Sequence, residues 1–138
     1  LELDLYLPPQ ETAVVPAAVF LHGGGWRIGS RRTLGPAYAG IFPSPFERVA
    51  STGIAIASVD YRLSGEAHWP VQLHDAKAAV RWLRARAPEI NIDSDRIAAW
   101  GESAGGHLAA LLGLTGPELD GSVGVLGPSS AVTAVVAW

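Results

Sequence analysis

Three short, mostly apolar runs in this chain end abruptly at a turn. Ala17 to Leu21 (AAVFL) stops at His22 and three glycines, Ile54 to Val59 (IAIASV) runs into Asp60-Tyr61-Arg62-Leu63, and Arg96 to Trp100 (RIAAW) meets Gly101. Such runs are too short for self-sufficient helices. They also lack the polar alternation of a strand with one wet face. They read as strands buried on both sides, as in a parallel sheet. Leu1 to Leu7 does alternate, and predicts a strand with one wet face, ended by Pro8-Pro9. Ala131 to Trp138 predicts a fourth buried strand.

Helices fall between these runs. Pro70 suits a first helical position, because its missing N–H has no partner there. Leu73, Ala76, Val80 and Leu83 follow at helical spacing, and Pro88 stops the helix. A short helix is expected over Pro45 to Thr52, ended by Gly53, and an Ala-rich one through Leu108 to Leu114. Gly29 to Pro45 reads as loop with a broken helix. Alternating strands and helices imply an α/β fold: a mainly parallel sheet with helices on both faces, collecting ligands at the carboxyl ends of its strands. With 138 residues, 49% hydrophobic and 17% charged, the chain can bury one core.

Both glycine-rich segments lie at such strand ends. Gly101-Glu102-Ser103-Ala104-Gly105-Gly106 fits G-x-S-x-G between strand and helix. A serine at the apex of so sharp a turn has its hydroxyl exposed, and its neighbours must be small for strand and helix to approach. The plainer reading is a glycine-rich turn whose serine caps the helix. His22-Gly23-Gly24-Gly25-Trp26 has the form of an HGGG loop, whose backbone can aim N–H groups at a developing oxyanion. No Lys follows, as a phosphate loop would require, and Ile28 stands where a dinucleotide fingerprint needs its third glycine.

These segments together resemble the hormone-sensitive-lipase-like carboxylesterases of the α/β-hydrolase superfamily, in the bacterial esterase/lipase branch. The resemblance rests on HGGGW at 22–26, DYRLSGEAHWP at 60–70, DSDRIAAWGESAGGHLAAL at 93–111 and the final AVVAW. Ser64-Gly65, where Ala-Pro is frequent in the family, is closer to its small-ester and feruloyl-esterase-like members. The resemblance implies that Ser103 is the nucleophile and that the amides of Gly24, Gly25 and Ala104 form the oxyanion hole. It makes His22 a loop-stabilising residue and puts Trp26 beside the acyl pocket. His68, on a loop after a strand end, is a further candidate substrate contact. The implied activity is hydrolysis of short-chain or small aromatic esters through an acyl-enzyme, without metal or organic cofactor. A related amide hydrolase, or a non-catalytic binding or assembly module of the same fold, are the alternatives.

The superfamily's acid and base follow the nucleophile in the chain. After Ser103 there are only Glu118, Asp120 and His107, and His107 lies on the helix leading away from the elbow. The expectation is therefore that residues 1–138 are the N-terminal part of a single α/β-hydrolase domain lacking its C-terminal strands. A missing segment or a second chain would supply base and acid, and the chain alone would be inactive or very weak. Glu102 is expected in a surface or supporting role. Asp75 with Lys77 or Arg81 is expected to be a solvated helix pattern, and Arg27, Arg31 and Arg32 mobile surface charge. A net charge of −3 offers nothing to nucleic acid or an anionic membrane. Zero cysteines exclude disulfides and thiolate chemistry. The implied partner is a small-molecule ester. A homodimer stays open, as does the compartment, with the cytoplasm favoured.

Overall fold

The computed structural model describes residues 1–9 and 14–138. Its strands are β1 (Leu3–Tyr6), β2 (Val15–Leu21), β3 (Ala55–Val59), β4 (Ile92–Gly101) and β5 (Ala134–Ala137). The α-helices are α1 (Pro45–Ala50), α2 (Val71–Arg86) and α3 (Ala104–Leu114). The strands form one sheet in the order β1-β3-β2-β4-β5, parallel throughout except for β1, which pairs antiparallel with β3.

Strand periodicity divides the core. Ala17, Val19, Leu21, Ala55, Ala57, Val59, Ile97 and Ala99 face α2 and α3, which contribute Leu73, Ala76, Val80, Leu83, Leu108 and Leu112. The alternate residues Ala18, Phe20, Ile56, Ala98 and Trp100 face α1, which contributes Phe46 and Val49. Helices thus cover both faces. The α1 start carries a capping box, in which the Ser44 hydroxyl accepts from the Glu47 amide and the Glu47 carboxylate accepts from the Ser44 amide. Helix α2 begins one residue after the sequence expectation. Pro70 precedes it, and its carbonyl accepts from the amides of Leu73 and His74.

Three expectations are corrected. Strand β1 is partly buried on both faces: Leu3 and Leu5 pack on the α2 side, while on the other the Tyr6 ring meets Phe46 at 5.1 Å beside the partly exposed Asp4. Strand β5 is exposed along its whole length, with β4 as its one strand neighbour among the described residues. The charges of α2 are not solvated. Asp75, Lys77 and Arg81 are all buried, because α2 is covered by the sheet on one side and by the 115–131 segment on another. Lys77 Nζ donates to the carbonyls of Thr115 and Gly116, to Asp120 and to Ser130. Arg81 donates to the carbonyls of Asp120, Val123 and Val125, and Arg84 to those of Ser94, Ser129 and Ala131. A row of cations on α2 therefore satisfies the carbonyls of a segment that has little secondary structure of its own.

Candidate active site

Ser103 sits between the last residue of β4 and the first of α3, with backbone angles φ 54 and ψ −115. Positive φ at a non-glycine residue costs of order 1–3 kcal/mol and persists only where the surroundings over-determine it. Here they do. The Glu102 amide donates to Leu21 at the end of β2, and the Ser103 amide donates to Trp138, just past β5. Gly105 lets this happen, since a Cβ there would overlap the Leu21 carbonyl. Ser103 occupies the position of a helix cap but makes no side-chain capping bond, and it is exposed. The plainer reading of this serine as a helix cap is thus not what the structure shows.

The glycine loop leaves β2 at His22, which is buried. Gly24 has φ +114, and a Cβ on it would overlap the Ile28 carbonyl, so only glycine fits this turn. Among the described residues, no backbone carbonyl accepts from the amides of Gly24, Gly25 or Ala104. The carbonyl on the far side of each of these three peptide planes is anchored. Gly23 O accepts from His22 Nδ1 at 2.7 Å. Gly24 O accepts from the amides of Arg27 and Ile28, and Ser103 O from the amide of His107. In a trans peptide the N–H points opposite to the C=O. Anchoring each carbonyl therefore fixes the direction of each free N–H.

The two segments are in contact. The Glu102 carboxylate lies against Gly23, so that a Cβ there would overlap it. Trp26 meets the His107 ring edge-on at 5.4 Å, and Trp69 lies 6.3 Å from the same ring. Gly25, Trp26, Arg27, Ser64, His68, Trp69, Gln72 and His107 line a cleft of about 350 Å³ beside the glycine loop. The two candidate substrate contacts, Trp26 and His68, both border it. A larger depression of about 830 Å³ lies between β1 and α2, away from this chemistry.

Burial lowers the pKa of His22, against the opposing effects of the Gly23 hydrogen bond, Asp60 and Glu102. The ring is therefore neutral at pH 7, with its proton on Nδ1, since a carbonyl can only accept. His107 packs among indoles, and no hydrogen bond joins its ring to Ser103 among the described residues. Glu118 accepts from the Gly116 amide, and Asp120 is engaged by Lys77 and Ser130. Neither carboxylate is placed to orient a base at Ser103.

Sequence reasoning missed two supports of this region. Arg31 is not mobile surface charge: it binds Glu2, Asp4 and Asp60, and its carbonyl accepts from Ser58, pinning the far end of the glycine loop to the sheet. Asp75 accepts from the amide, Nε and Nη2 of Arg62, holding the segment that follows β3 toward the cleft wall. The available signal was position: Asp60-Tyr61-Arg62 follows a strand end, as His22 and Ser103 do.

The chain resembles known esterases in sequence and in fold. The chain is 35% identical to carboxylesterase NlhH of Mycobacterium tuberculosis over 85% of its own length and 34% of that protein's. It superposes with TM-score 0.79 and 33% identity on a propionate-bound thermophilic esterase, Est2, of Thermogutta terrifontis, covering 96% of this chain and 47% of that one. It superposes with TM-score 0.85 and 33% identity on a bifunctional GH43-CE protein of Bacteroides eggerthii, covering 99% of this chain and 18% of that one. The chain thus spans about a third of the length of the curated relative it matches. The BD-FAE family model matches residues 3–138, and the chain belongs to that family and, with it, to the α/β-hydrolase-fold esterases.

Proposed function

We propose that the chain supplies the nucleophile and the oxyanion hole of a serine carboxylic-ester hydrolase. Ser103 Oγ attacks the ester carbonyl and gives its proton to a general base lying outside the residues described. The carbonyl oxygen becomes an oxyanion that accepts from the amides of Gly24, Gly25 and Ala104. Collapse expels the alcohol and leaves an acyl-Ser103 ester, which water cleaves to the free acid. Each well-placed donor is worth roughly 2.7–4 kcal/mol of transition-state stabilisation.

The observation that carries this reading is Ser103 itself: strained, exposed, free of any capping bond and followed by the free amide of Ala104, whose direction is fixed. Short-chain or small aromatic esters are the proposed substrates. The aromatic walls of the 350 Å³ cleft support this, as does the likeness to an esterase with bound propionate. The test is fluorophosphonate labelling and turnover of p-nitrophenyl acetate by the full-length protein. Ser103-dependent labelling and turnover are expected. If the serine stays unlabelled and turnover does not rise above that of Ser103→Ala, the serine-esterase reading fails and a non-catalytic member of the fold is left.

A further inference from the structure

We infer that Tyr61 is a positioning residue for the oxyanion hole, acting on the Gly24 amide through His22; this rests on the reading of Ser103 and the glycine loop given above. Tyr61 follows β3 and is 3% exposed, with its ring in the core beneath the sheet's carboxyl end. Its hydroxyl donates to the His22 carbonyl at 2.7 Å. Its ring stacks on the His22 imidazole, with centroids 4.3 Å apart and planes 11° from parallel. One side chain therefore holds His22 twice, once by its carbonyl and once by its ring.

The ring acts on the peptide that carries the Gly24 N–H, and the hydroxyl fixes the peptide before it. The imidazole must keep its plane for Nδ1–H to meet Gly23 O, and that bond sets the peptide whose other end is the Gly24 N–H. Donation to Gly23 O also polarises this peptide and makes the Gly24 N–H a stronger donor. Gly29 closes against the imidazole edge, since a Cβ there would overlap Nδ1, so the ring has little other freedom. The His22 carbonyl is equally confined. A Cβ on Gly105 would lie 2.6 Å from its oxygen, leaving little room for a water to replace the Tyr61 hydroxyl. A phenylalanine would fill the same apolar space, so the hydroxyl serves the carbonyl and not the packing. Burial, reinforced by Glu102, raises the Tyr61 pKa well above its ordinary value, which keeps the donor protonated.

The test is Tyr61→Phe in the full-length protein. With p-nitrophenyl acetate, kcat is expected to fall about tenfold, a fraction of what losing a whole oxyanion donor does, while KM stays within about twofold. The Ki of a matching trifluoromethyl ketone, whose adduct carries the oxyanion, is expected to weaken by the same factor. Unchanged kcat and Ki with only a lower Tm would make Tyr61 structural and overturn the inference, as would a rise confined to KM. Should Y61F prove insoluble, 3-fluorotyrosine at position 61 keeps the shape and strengthens the donor. The ketone should then bind about twofold tighter, since a stronger bond to the His22 carbonyl holds the glycine loop more firmly in place. Unchanged or weaker binding would overturn the inference. If the wild-type protein shows no Ser103-dependent turnover, the functional reading fails and the inference with it. Normal wild-type turnover with an unaffected Y61F sinks the inference alone.

Discussion

The backbone N–H of Ser103 donates to the carbonyl of Trp138 at 2.6 Å, while the amide of the preceding residue, Glu102, donates to Leu21 at 3.3 Å. The two amides of the strained turn are thus gripped by the ends of different strands, β5 and β2, on either side of β4. The Trp138 amide completes the brace by donating to Gly101 at 3.2 Å. Positive φ at Ser103 is sustained by the sheet and not by the turn's own sequence.

Strain held in this way should be measurable. Ser103→Gly accepts φ 54 without steric cost, which favours the folded state, although glycine's freer unfolded chain opposes it. A net gain of about 1 kcal/mol is expected in urea unfolding, together with loss of fluorophosphonate labelling. A destabilised S103G protein would show that the elbow carries no strain.

Gly105→Ala should act in the opposite sense. Its methyl would overlap the Leu21 carbonyl, which is backbone and cannot swing aside. A loss of about 3 kcal/mol or more is expected, read as a lower urea midpoint or as insoluble protein.

The Arg62–Asp75 pair predicts an asymmetry. The Asp75 side chain is 0% exposed and that of Arg62 39%. Arg62→Ala strands a buried carboxylate and should cost about 3 kcal/mol. Asp75→Asn leaves an arginine that can return to water and an amide oxygen that still accepts from the Arg62 amide, so about half that loss is expected. Equal or reversed losses in denaturant titrations would contradict the placement of this pair.

Asp120 gives the 115–131 segment a pH dependence. Burial opposes its ionisation, but the Ser130 hydroxyl, Lys77 and Arg81 outweigh burial and hold its pKa below the ordinary 3.8. A depressed folded pKa means that the stabilisation is present above the unfolded value and disappears as pH falls below it. The wild-type urea midpoint should therefore fall more steeply between about pH 5 and pH 2.5 than that of Asp120→Asn. Parallel profiles would remove Asp120 as a contributor.

The cleft gives a prediction about specificity. Trp69→Ala removes one wall of the cleft while leaving Ser103 and the three amides untouched. In the full-length protein, KM for an aryl ester should rise about tenfold, as losing roughly 1.5 kcal/mol of ring contact implies, with little change for an acetate of an aliphatic alcohol. An equal change for both substrates would place the aromatic group elsewhere.

Much of the fold and of the candidate site was legible in the sequence because its signals are local. A five-residue apolar run ending in glycines can only be a buried strand meeting a turn, and G-x-S-x-G or HGGG encode the small residues that such turns sterically demand. What lay beyond the sequence depends on what each element faces. Asp75, Lys77 and Arg81 look like an ordinary wet stripe of a helix until Arg62 reaches Asp75 and the 115–131 segment folds over Lys77 and Arg81. The AVVA of β5 looks like a core strand, yet among the described residues it is exposed, because burial of a strand depends on what packs around it. Tyr61 gives no sign in the sequence of the imidazole that it stacks upon, since 39 residues separate it from the His22 carbonyl. Chain composition and spacing set the strands, the turn chemistry and the serine. Only long-range packing decided which charges are dry and which side chain stacks on His22, because both depend on residues far apart in the chain.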